Sequence, residues 1–184
     1  LVPSLKNLHA LYRVLREAGE NNRRGRAAPP RRSGPPSRHR AKAPNACWSW
    51  DVSYLPTRVR GQFVYLYLIV DIYSRLIVGA EVFEAENAAN SEVVIRRALL
   101  RQGCSLRPPV LHADNGSAMK GSTLRTTLDK LGVLTSWSRP RVSNDNAYSE
   151  ALFRTCKYRP EYPPMGFEDL AQARAWVARF VAWY

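Results

Sequence analysis

The sequence lacks the cysteine pattern of a zinc site or a disulfide framework. Its three cysteines, Cys47, Cys104 and Cys156, are far apart, and none belongs to a Cys-x-x-Cys pair. This spacing argues against a zinc finger and a disulfide-stapled secreted domain, and it is typical of a reducing cytosol. A leader pattern and long apolar runs are also missing, because the longest apolar stretch, residues 63–70, is strand-sized. We therefore expect a cytoplasmic protein without a membrane partner.

Acidic residues are scarce, above all at the start of the chain. The 184 residues include 28 Lys and Arg but only 15 Asp and Glu, which gives a net charge of +13. Residues 1–46 contain 11 of those cations and 2 of those acids. A strongly basic arm ahead of a mildly basic remainder predicts a polyanionic partner.

Three segments of different composition follow one another. Residues 1–19 contain a predicted helix over residues 4–18. Residues 20–46 are rich in Pro, Gly and Arg and have no large apolar residue, so a semi-extended basic linker is predicted. Either the linker is a solvated tether, or its arginines follow DNA phosphates. Residues 47–184 have the pattern of a folded domain. The arginines expected to contact DNA are Arg23, Arg24, Arg26, Arg31 and Arg32.

The folded segment starts with three strand patterns and continues with alternating helices and strands. Strands are predicted around the peptide WSWDVSYL and over residues 63–71 and 76–83, and short turns between them favour an antiparallel meander. The order describes an α/β protein with a mixed five-stranded sheet flanked by helices. The later predictions are a helix over 90–102, a strand over 109–113, a helix over 122–131, a strand over 133–136, a helix over 143–159 capped by Ser143 or Asn144, and a helix over 167–184.

Two aspartates occupy unusual positions in these strands. Asp51 interrupts a strand of Trp, Val and Tyr, where burial and strand propensity both disfavour an acid. Asp114 ends an apolar strand, at the edge where open α/β sheets place their sites. The alternatives are a satisfied strand acid at Asp51 and a simple Asp-Asn-Gly turn at Asp114.

A third acid lies on the helix predicted over residues 143–159. Steps of four, four and three place Asn146, Glu150, Arg154 and Lys157 on one helix face. An intrahelical salt bridge from Glu150 to Arg154 is the plain alternative. If Glu150 converges with the two strand aspartates, divalent cations relieve their repulsion, and oxygen ligands favour Mg²⁺ or Mn²⁺ over zinc. Two ions about 3.5–4 Å apart would suit in-line displacement at phosphorus.

The peptides WDVSYL, HADNGS and SNDNAYSEALFRTCKYRP resemble the three motifs of the catalytic core of DDE-type transposases and retroviral-type integrases. The resemblance is closest to bacterial insertion-sequence transposases, and the 36 positions from Asp114 to Glu150 fit that group. It runs from about Trp48 to the end of the chain. It implies a ribonuclease H-like fold, a metal-binding triad of Asp51, Asp114 and Glu150, and contact between Lys157 and a DNA end.

The resemblance also implies an activity: DNA strand cleavage and strand transfer with Mg²⁺ or Mn²⁺, as two ions, by a homo-oligomer without a small-molecule substrate. It implies a bacterial, nucleoid-associated protein when DNA is bound. Arg154 is expected to contact phosphate, and the helix over residues 4–18 resembles the tail of a helix-turn-helix region. His112, Asn115 and Asn146 are candidates for supporting roles.

Two features depart from the family pattern. Arg141 stands where such sequences often carry Gly, and the His-rich segment that usually follows is absent from the sequence, so we expect a core truncated at its C-terminus. Two other functions use the same residues. One is a metal-dependent nuclease of the same fold, which cuts DNA or RNA without joining it. The other is a non-catalytic DNA-binding remnant of a decayed element.

Overall fold

The computed structural model describes residues 8–19, 41–113, 122–138 and 146–184. The chain divides into two units, residues 1–33 and 34–184. In the first unit, helix α1 (Leu8–Glu17) ends where Gly19 adopts a left-handed φ of +70°. Most of the basic linker, and with it every arginine predicted there to contact DNA, lies outside the described residues.

The second unit is built on one mixed five-stranded sheet. Its order is β3-β2-β1-β4-β5, with antiparallel pairing of β1 to β2 and β2 to β3, and parallel pairing of β1 to β4 and β4 to β5. The predicted meander and mixed sheet are therefore confirmed. The strands are β1 (Cys47–Pro56), β2 (Phe63–Asp71), β3 (Ile77–Phe83), β4 (Val110–Ala113) and β5 (Thr135–Trp137).

Helices cover both faces of this sheet, and the alternation of side chains along β1 separates two cores. Trp48 and Trp50 point to one face and are buried with residues of α2 and α3. Leu55 points to the other face and is buried with residues of α4 and α5. Ser49 and Asp51 have the same parity as Leu55 and so belong to the α4 face. The helices are α2 (Ala88–Arg101), α3 (Ser122–Lys130), α4 (Ala147–Lys157) and α5 (Leu170–Trp183).

Two predicted helix starts are wrong. Helix α4 has Asn146 as its N-cap residue, not Ser143 or Asn144, and the Asn146 side chain makes no capping hydrogen bond because it bonds β1 instead. Helix α5 begins after Asp169, whose carboxylate accepts the backbone N–H of Gln172 at 2.7 Å. The predicted start at Phe167 fails because this residue forms a bridge with Thr57.

Within the part of the chain that the structure describes, no helix combines the length and apolarity needed to cross a membrane.

Candidate functional site

Asp51 lies in the middle of β1, on the sheet face that α4 covers. Its side chain is partly buried, and one carboxylate oxygen accepts the backbone N–H of Val52 at 2.8 Å. The adjacent strand β2 pairs with β1 from Trp48 to Pro56, so Asp51 lies inside a continuous ladder. The strand therefore presents a carboxylate to α4 from a rigid position.

The start of α4 is fastened to β1 by a buried polar cluster. The Asn146 side chain donates to the carbonyl oxygen of Trp50 at 3.2 Å and accepts from the Ser49 hydroxyl. The Ser49 hydroxyl also lies 2.7 Å from the hydroxyl of Ser149. Asn146, Ser49 and Ser149 are each at most 3% exposed. Because water is excluded there, these hydrogen bonds fix both the position and the rotation of the first turn of α4.

Glu150 follows Asn146 by one helical turn, about 6 Å along the axis. Its side chain is exposed, on the same flank of α4 as the anchored Asn146. No ion pair joins Glu150 to Arg154 in the residues that the structure describes. The plain alternative of an intrahelical salt bridge is therefore not observed, and the side chain of Glu150 is open to solvent.

Lys157 lies two turns beyond Glu150 and is partly buried. Burial lowers the pKa of Lys157, whereas charges on Cys156 and Asp51 act in the opposite direction. An effect of the Asp51 charge requires that the ammonium lies within electrostatic reach of that carboxylate. The structure thus links two of the predicted residues, Asp51 and Lys157, by their charges, and Glu150 lies on α4 between Lys157 and the Asn146 anchor.

The neighbouring strand β4 adds a polar residue, His112, to the sheet surface beneath α4, beside Ser49. His112 pairs with Ser49 in the parallel register of β1 and β4, so their side chains share a face. The two ring nitrogens of His112 lie 3.1 Å from the Ser136 hydroxyl and 3.4 Å from the Ser138 hydroxyl. His112 is 8% exposed. It therefore connects β4 to β5 and to the residue that follows β5.

Asp114 and Asn115 lie outside the described residues, as does Arg141. The last described pair of the β1–β4 ladder is Trp50 with Ala113. In the sequence, Asp51 and Asp114 are the residues that immediately follow this pair.

A second contact holds α4 from the flank opposite Glu150. Arg75 has a left-handed φ of +69°, in a turn where the Asp71 carboxylate accepts the backbone N–H of Ser74 at 2.9 Å and its hydroxyl at 2.6 Å. The guanidinium of Arg75 lies 4.0 Å from the ring centroid of Tyr148. Tyr148 and Glu150 differ by about 200° around the helix. The first turn of α4 is thus held by β1 through Asn146 and by the turn after β2 through Tyr148, and Glu150 lies on the side away from Tyr148.

The donor set fits a divalent cation of the magnesium type. In the described stretches, no three His, Cys, Asp or Glu side chains lie close enough together to hold a metal ion. Those stretches contribute the two carboxylates of Asp51 and Glu150, and both offer hard oxygen ligands on a polar, serine-rich floor. The three cysteines are buried, and burial raises the pKa of the Cys156 thiol to about 12.

Ser49 and Ser149 contact the Asn146 anchor, and neither stands out in the sequence. Serine is common in strands and helices, and only its position gives a signal. Ser49 precedes Asp51 by two residues on the same strand face, and Ser149 immediately precedes Glu150. A small hydroxyl beside each predicted carboxylate was the available clue.

Comparisons with known proteins point to one family. A family model described as integrase core domain matches residues 41–143, more than half of the chain. The transposase of insertion sequence element IS904 from Lactococcus lactis is 31% identical over 149 residues, which cover 79% of this chain and 56% of that protein. Transposase InsF of IS3A from Escherichia coli is 26% identical over 117 residues, 64% of this chain and 40% of that protein. The chain spans about half the length of the curated relatives it matches.

Solved structures share the fold at low identity. The Mos1 transposase catalytic domain, solved with raltegravir and Mg, is 16% identical, with a TM-score of 0.56 over 75% of this chain and 71% of that chain. A chain of the simian T-cell lymphotropic virus intasome, solved in complex with the PP2A regulatory subunit B56γ, is 18% identical, with a TM-score of 0.55 over 71% of this chain and 48% of that chain. The expected ribonuclease H-like fold is therefore confirmed.

Proposed function

The chain belongs to the integrase core domain family, and from this premise we propose that it is the catalytic core of an insertion-sequence transposase. The proposed reaction has two parts, a divalent-metal-dependent cleavage at a transposon end and the transfer of the freed 3′-hydroxyl to a target phosphodiester. The oxygen nucleophile belongs to water or to DNA, so no serine, tyrosine or cysteine of the chain forms a covalent intermediate.

One observation carries the proposal: the buried link from Asn146 to β1. It fixes the first turn of α4 beside Asp51, so the carboxylate of Glu150 projects from a defined position one turn later. A polar buried link specifies geometry better than an apolar contact does, because its partners must meet at hydrogen-bond distance. A surface helix without a catalytic task would not need this fixed relation to an acid in the central strand.

Asp114 is proposed as the third carboxylate. The parallel register of Trp50 with Ala113 supports this assignment, because Asp51 and Asp114 are the next residues on two adjacent strands. Neighbouring strands lie about 4.8 Å apart, which is within the span of one shared cation. Asn115 is proposed as a supporting residue beside it.

Asp51, Asp114 and Glu150 are the residues that would hold the metal, as two Mg²⁺ ions, with Mn²⁺ as a substitute. A bound divalent cation supplies activation of the oxygen nucleophile and neutralisation of charge at the phosphate. The protein supplies the rest: it fixes the carboxylates through Asn146, and His112 and the serines beneath them keep the floor polar without offering a competing soft ligand.

Cationic side chains position the DNA. Lys157, whose ammonium interacts with Asp51, is placed to contact the phosphate nearest the metal site. Arg154 is exposed farther out on α4 and adds a second phosphate contact. The linker arginines contribute affinity without sequence preference, and this contribution falls as salt rises. The helix of residues 1–19 is proposed as the tail of a helix-turn-helix unit that recognises element ends.

The working assembly is proposed to be a homo-oligomer, because two element ends must be brought together before joining. Its place is the bacterial cytoplasm, on the nucleoid when DNA is bound. The curated relatives from Escherichia coli and Lactococcus lactis are bacterial transposases, which supports a bacterial location.

The test compares products from labelled DNA that carries the ends of the element. The chain, Asp114→Asn and Glu150→Gln are incubated with Mg²⁺, and Glu168→Gln is the matched control, since Glu168 pairs with Arg58 at 2.6 Å on the surface. Joined products from the unchanged chain and from Glu168→Gln, but not from the two site variants, support the proposal. Cleaved products without joining favour the nuclease, and equal behaviour of all four proteins that still bind DNA favours a non-catalytic remnant.

A further inference from the structure

Tyr158, the residue after α4, is a large aromatic side chain that is 80% exposed. It continues a stripe on the helix in steps of four from Glu150 through Arg154. Consecutive members of such a stripe differ by about 40° around the axis, so the three side chains lie on the same side of α4. All three are exposed. The stripe leads from the proposed metal site to the open aromatic ring.

The ring of Tyr158 lies beside the guanidinium of Arg154. The guanidinium carbon of Arg154 lies 5.7 Å from the centroid of the Tyr158 ring. The backbone N–H of Tyr158 donates to the carbonyl oxygen of Arg154 at 3.0 Å. A cation over an aromatic face keeps the ring oriented while most of its surface stays in contact with solvent.

Arg159, the residue after Tyr158, contacts α5 instead. Arg159 donates to the Glu161 carboxylate at 3.1 Å, and its guanidinium lies 3.7 Å from the centroid of Trp183. Its cation is therefore engaged with α5. Lys157, on the other side of Tyr158 in the sequence, interacts with the Asp51 charge. Arg154 and Tyr158 remain as an exposed pair between the metal site and the end of the helix.

The distance from Glu150 to Tyr158 corresponds to a few nucleotides of a nucleic acid strand. Eight helical residues separate Glu150 from Tyr158, which corresponds to about 12 Å along the axis. Stacked nucleotides follow one another at about 3.4 Å, so the ring would meet a base three or four nucleotides from the reacting phosphate. Exposed aromatic residues are ordinary when they are isolated. The Tyr158 ring, by contrast, lies beside an arginine and on the helix stripe that starts at Glu150. Because it is so exposed, its burial adds little to the stability of the fold.

We propose that Tyr158 and Arg154 form a stacking platform for an unpaired nucleobase of the DNA strand that enters the site. The inference rests on the proposed function, because it assigns a role to the strand that reaches Asp51 and Glu150. The ring offers its face to a base of any sequence, and the guanidinium adds a cation beside the neighbouring phosphate. Tyr158 is a positioning residue, since it acts on the strand and not on the reacting atoms.

The test separates contacts to bases from contacts to phosphates. Binding is measured by fluorescence anisotropy, in EDTA and at fixed salt, to labelled oligothymidine of about 12 nucleotides. It is repeated with an abasic strand of the same length, which keeps every phosphate and lacks every base. The proteins are the chain itself, Tyr158→Ala, Tyr158→Phe and Arg154→Gln. Tyr73→Ala is the matched control, because Tyr73 is a 53% exposed tyrosine in the turn after β2.

The proposal expects Tyr158→Ala to bind oligothymidine about tenfold more weakly and the abasic strand as before. Tyr158→Phe keeps the preference for bases, and Tyr73→Ala changes neither affinity. Arg154→Gln weakens binding to both strands and lowers the salt dependence. Two results would contradict the proposal: equal affinity of the unchanged chain for both strands, or an equal loss of affinity for both strands in Tyr158→Ala.

Failure of the platform and failure of the proposed function give different results. If the unchanged chain joins DNA with Mg²⁺ while Tyr158→Ala keeps full affinity for oligothymidine, the platform alone is wrong. If the chain prefers bases through Tyr158 but neither cleaves nor joins DNA, the proposed function is wrong and the base contact stands as a binding property.

Discussion

The side-chain amide of Asn146 donates to the carbonyl oxygen of Trp50 at 3.2 Å, across the boundary between α4 and the sheet. Trp50 is bonded to Asp51, and Glu150 follows Asn146 by one turn. The hydrogen bond thus joins the residue before one proposed acid to the residue one turn before the other. The proposed site depends on this link as much as on the carboxylates, because metal ligands must be placed within a few tenths of an ångström.

The first prediction concerns this link. Asn146→Ala removes the side-chain donor to the Trp50 carbonyl and one of the two buried partners of the Ser49 hydroxyl, and it should lower the free energy of unfolding by about 1–3 kcal/mol. It should also lower the rate of DNA cleavage more than the affinity for DNA, because Glu150 loses its position while the cations remain. Urea unfolding and single-turnover cleavage measure the two effects. Asn90→Ala, which removes exposed side-chain bonds away from α4, is the control and should change the cleavage rate little. Equal cleavage rates for the two variants would contradict the positioning role.

The second prediction concerns the segment before α5. Gly166 has a φ of +81°, and an added Cβ would lie 2.6 Å from the Thr57 carbonyl oxygen. Gly103 has a similar φ of +65°, but a Cβ there meets nothing within 4 Å. Both alanine variants should suffer the left-handed backbone cost, and Gly166→Ala should lose about 1–3 kcal/mol more through the steric clash. Chemical unfolding of both variants checks this, and equal losses would show that the end of β1 yields to the added methyl group.

The third prediction uses the buried thiols. Burial, with the Asp71 charge, raises the pKa of Cys47 to about 11, and burial raises that of Cys156 to about 12, against an ordinary value of 9.0. Because the folded pKa values lie above the unfolded ones, this stabilisation is complete below pH 9 and is lost as the pH rises towards 11–12. The stability gap between the chain and Cys156→Ala should therefore narrow by about 1.4 kcal/mol per pH unit above pH 9. Unfolding series at increasing pH measure this gap, and a constant gap would mean that the thiol is not held neutral by the fold.

Much of the fold was predictable from the sequence, because its signals are local. The apolar run of β2 predicts a buried strand, and its predicted and observed bounds are the same. The glycines after α1, α2 and α3 mark where those helices end. The start of α4 was not predictable in this way. Asn146 is a good capping residue by type, and so are Ser143 and Asn144. The distant partners of Asn146, Ser49 and Trp50, determine its use, and a pattern within one helix does not contain them.

The sequence draws attention to the acids of the proposed site but not to the residues around them. An aspartate inside an apolar strand conflicts with its surroundings, and such conflicts mark functional positions. Ser49 and Ser149 cause no conflict with their surroundings, so their buried contact with Asn146 appears only when β1 and α4 are packed together. Lys157 could be assigned only by resemblance, whereas the structure adds its interaction with the Asp51 charge. The linker arginines remain predictions, as does the position of Asp114.

The fourth prediction tests the central claim, that Asp51, Asp114 and Glu150 hold a divalent cation together. Fe²⁺ is substituted for Mg²⁺, and ascorbate with peroxide then generates radicals that cut the protein chain next to the bound iron. Mass spectrometry of the fragments should find cuts in the middle of β1, just after β4 and in the first turn of α4. Excess Mg²⁺ should suppress these cuts, Glu150→Gln should remove them, and Glu168→Gln should leave them unchanged. Cuts confined to other parts of the chain, or the same three cuts in Glu150→Gln, would contradict the shared metal site.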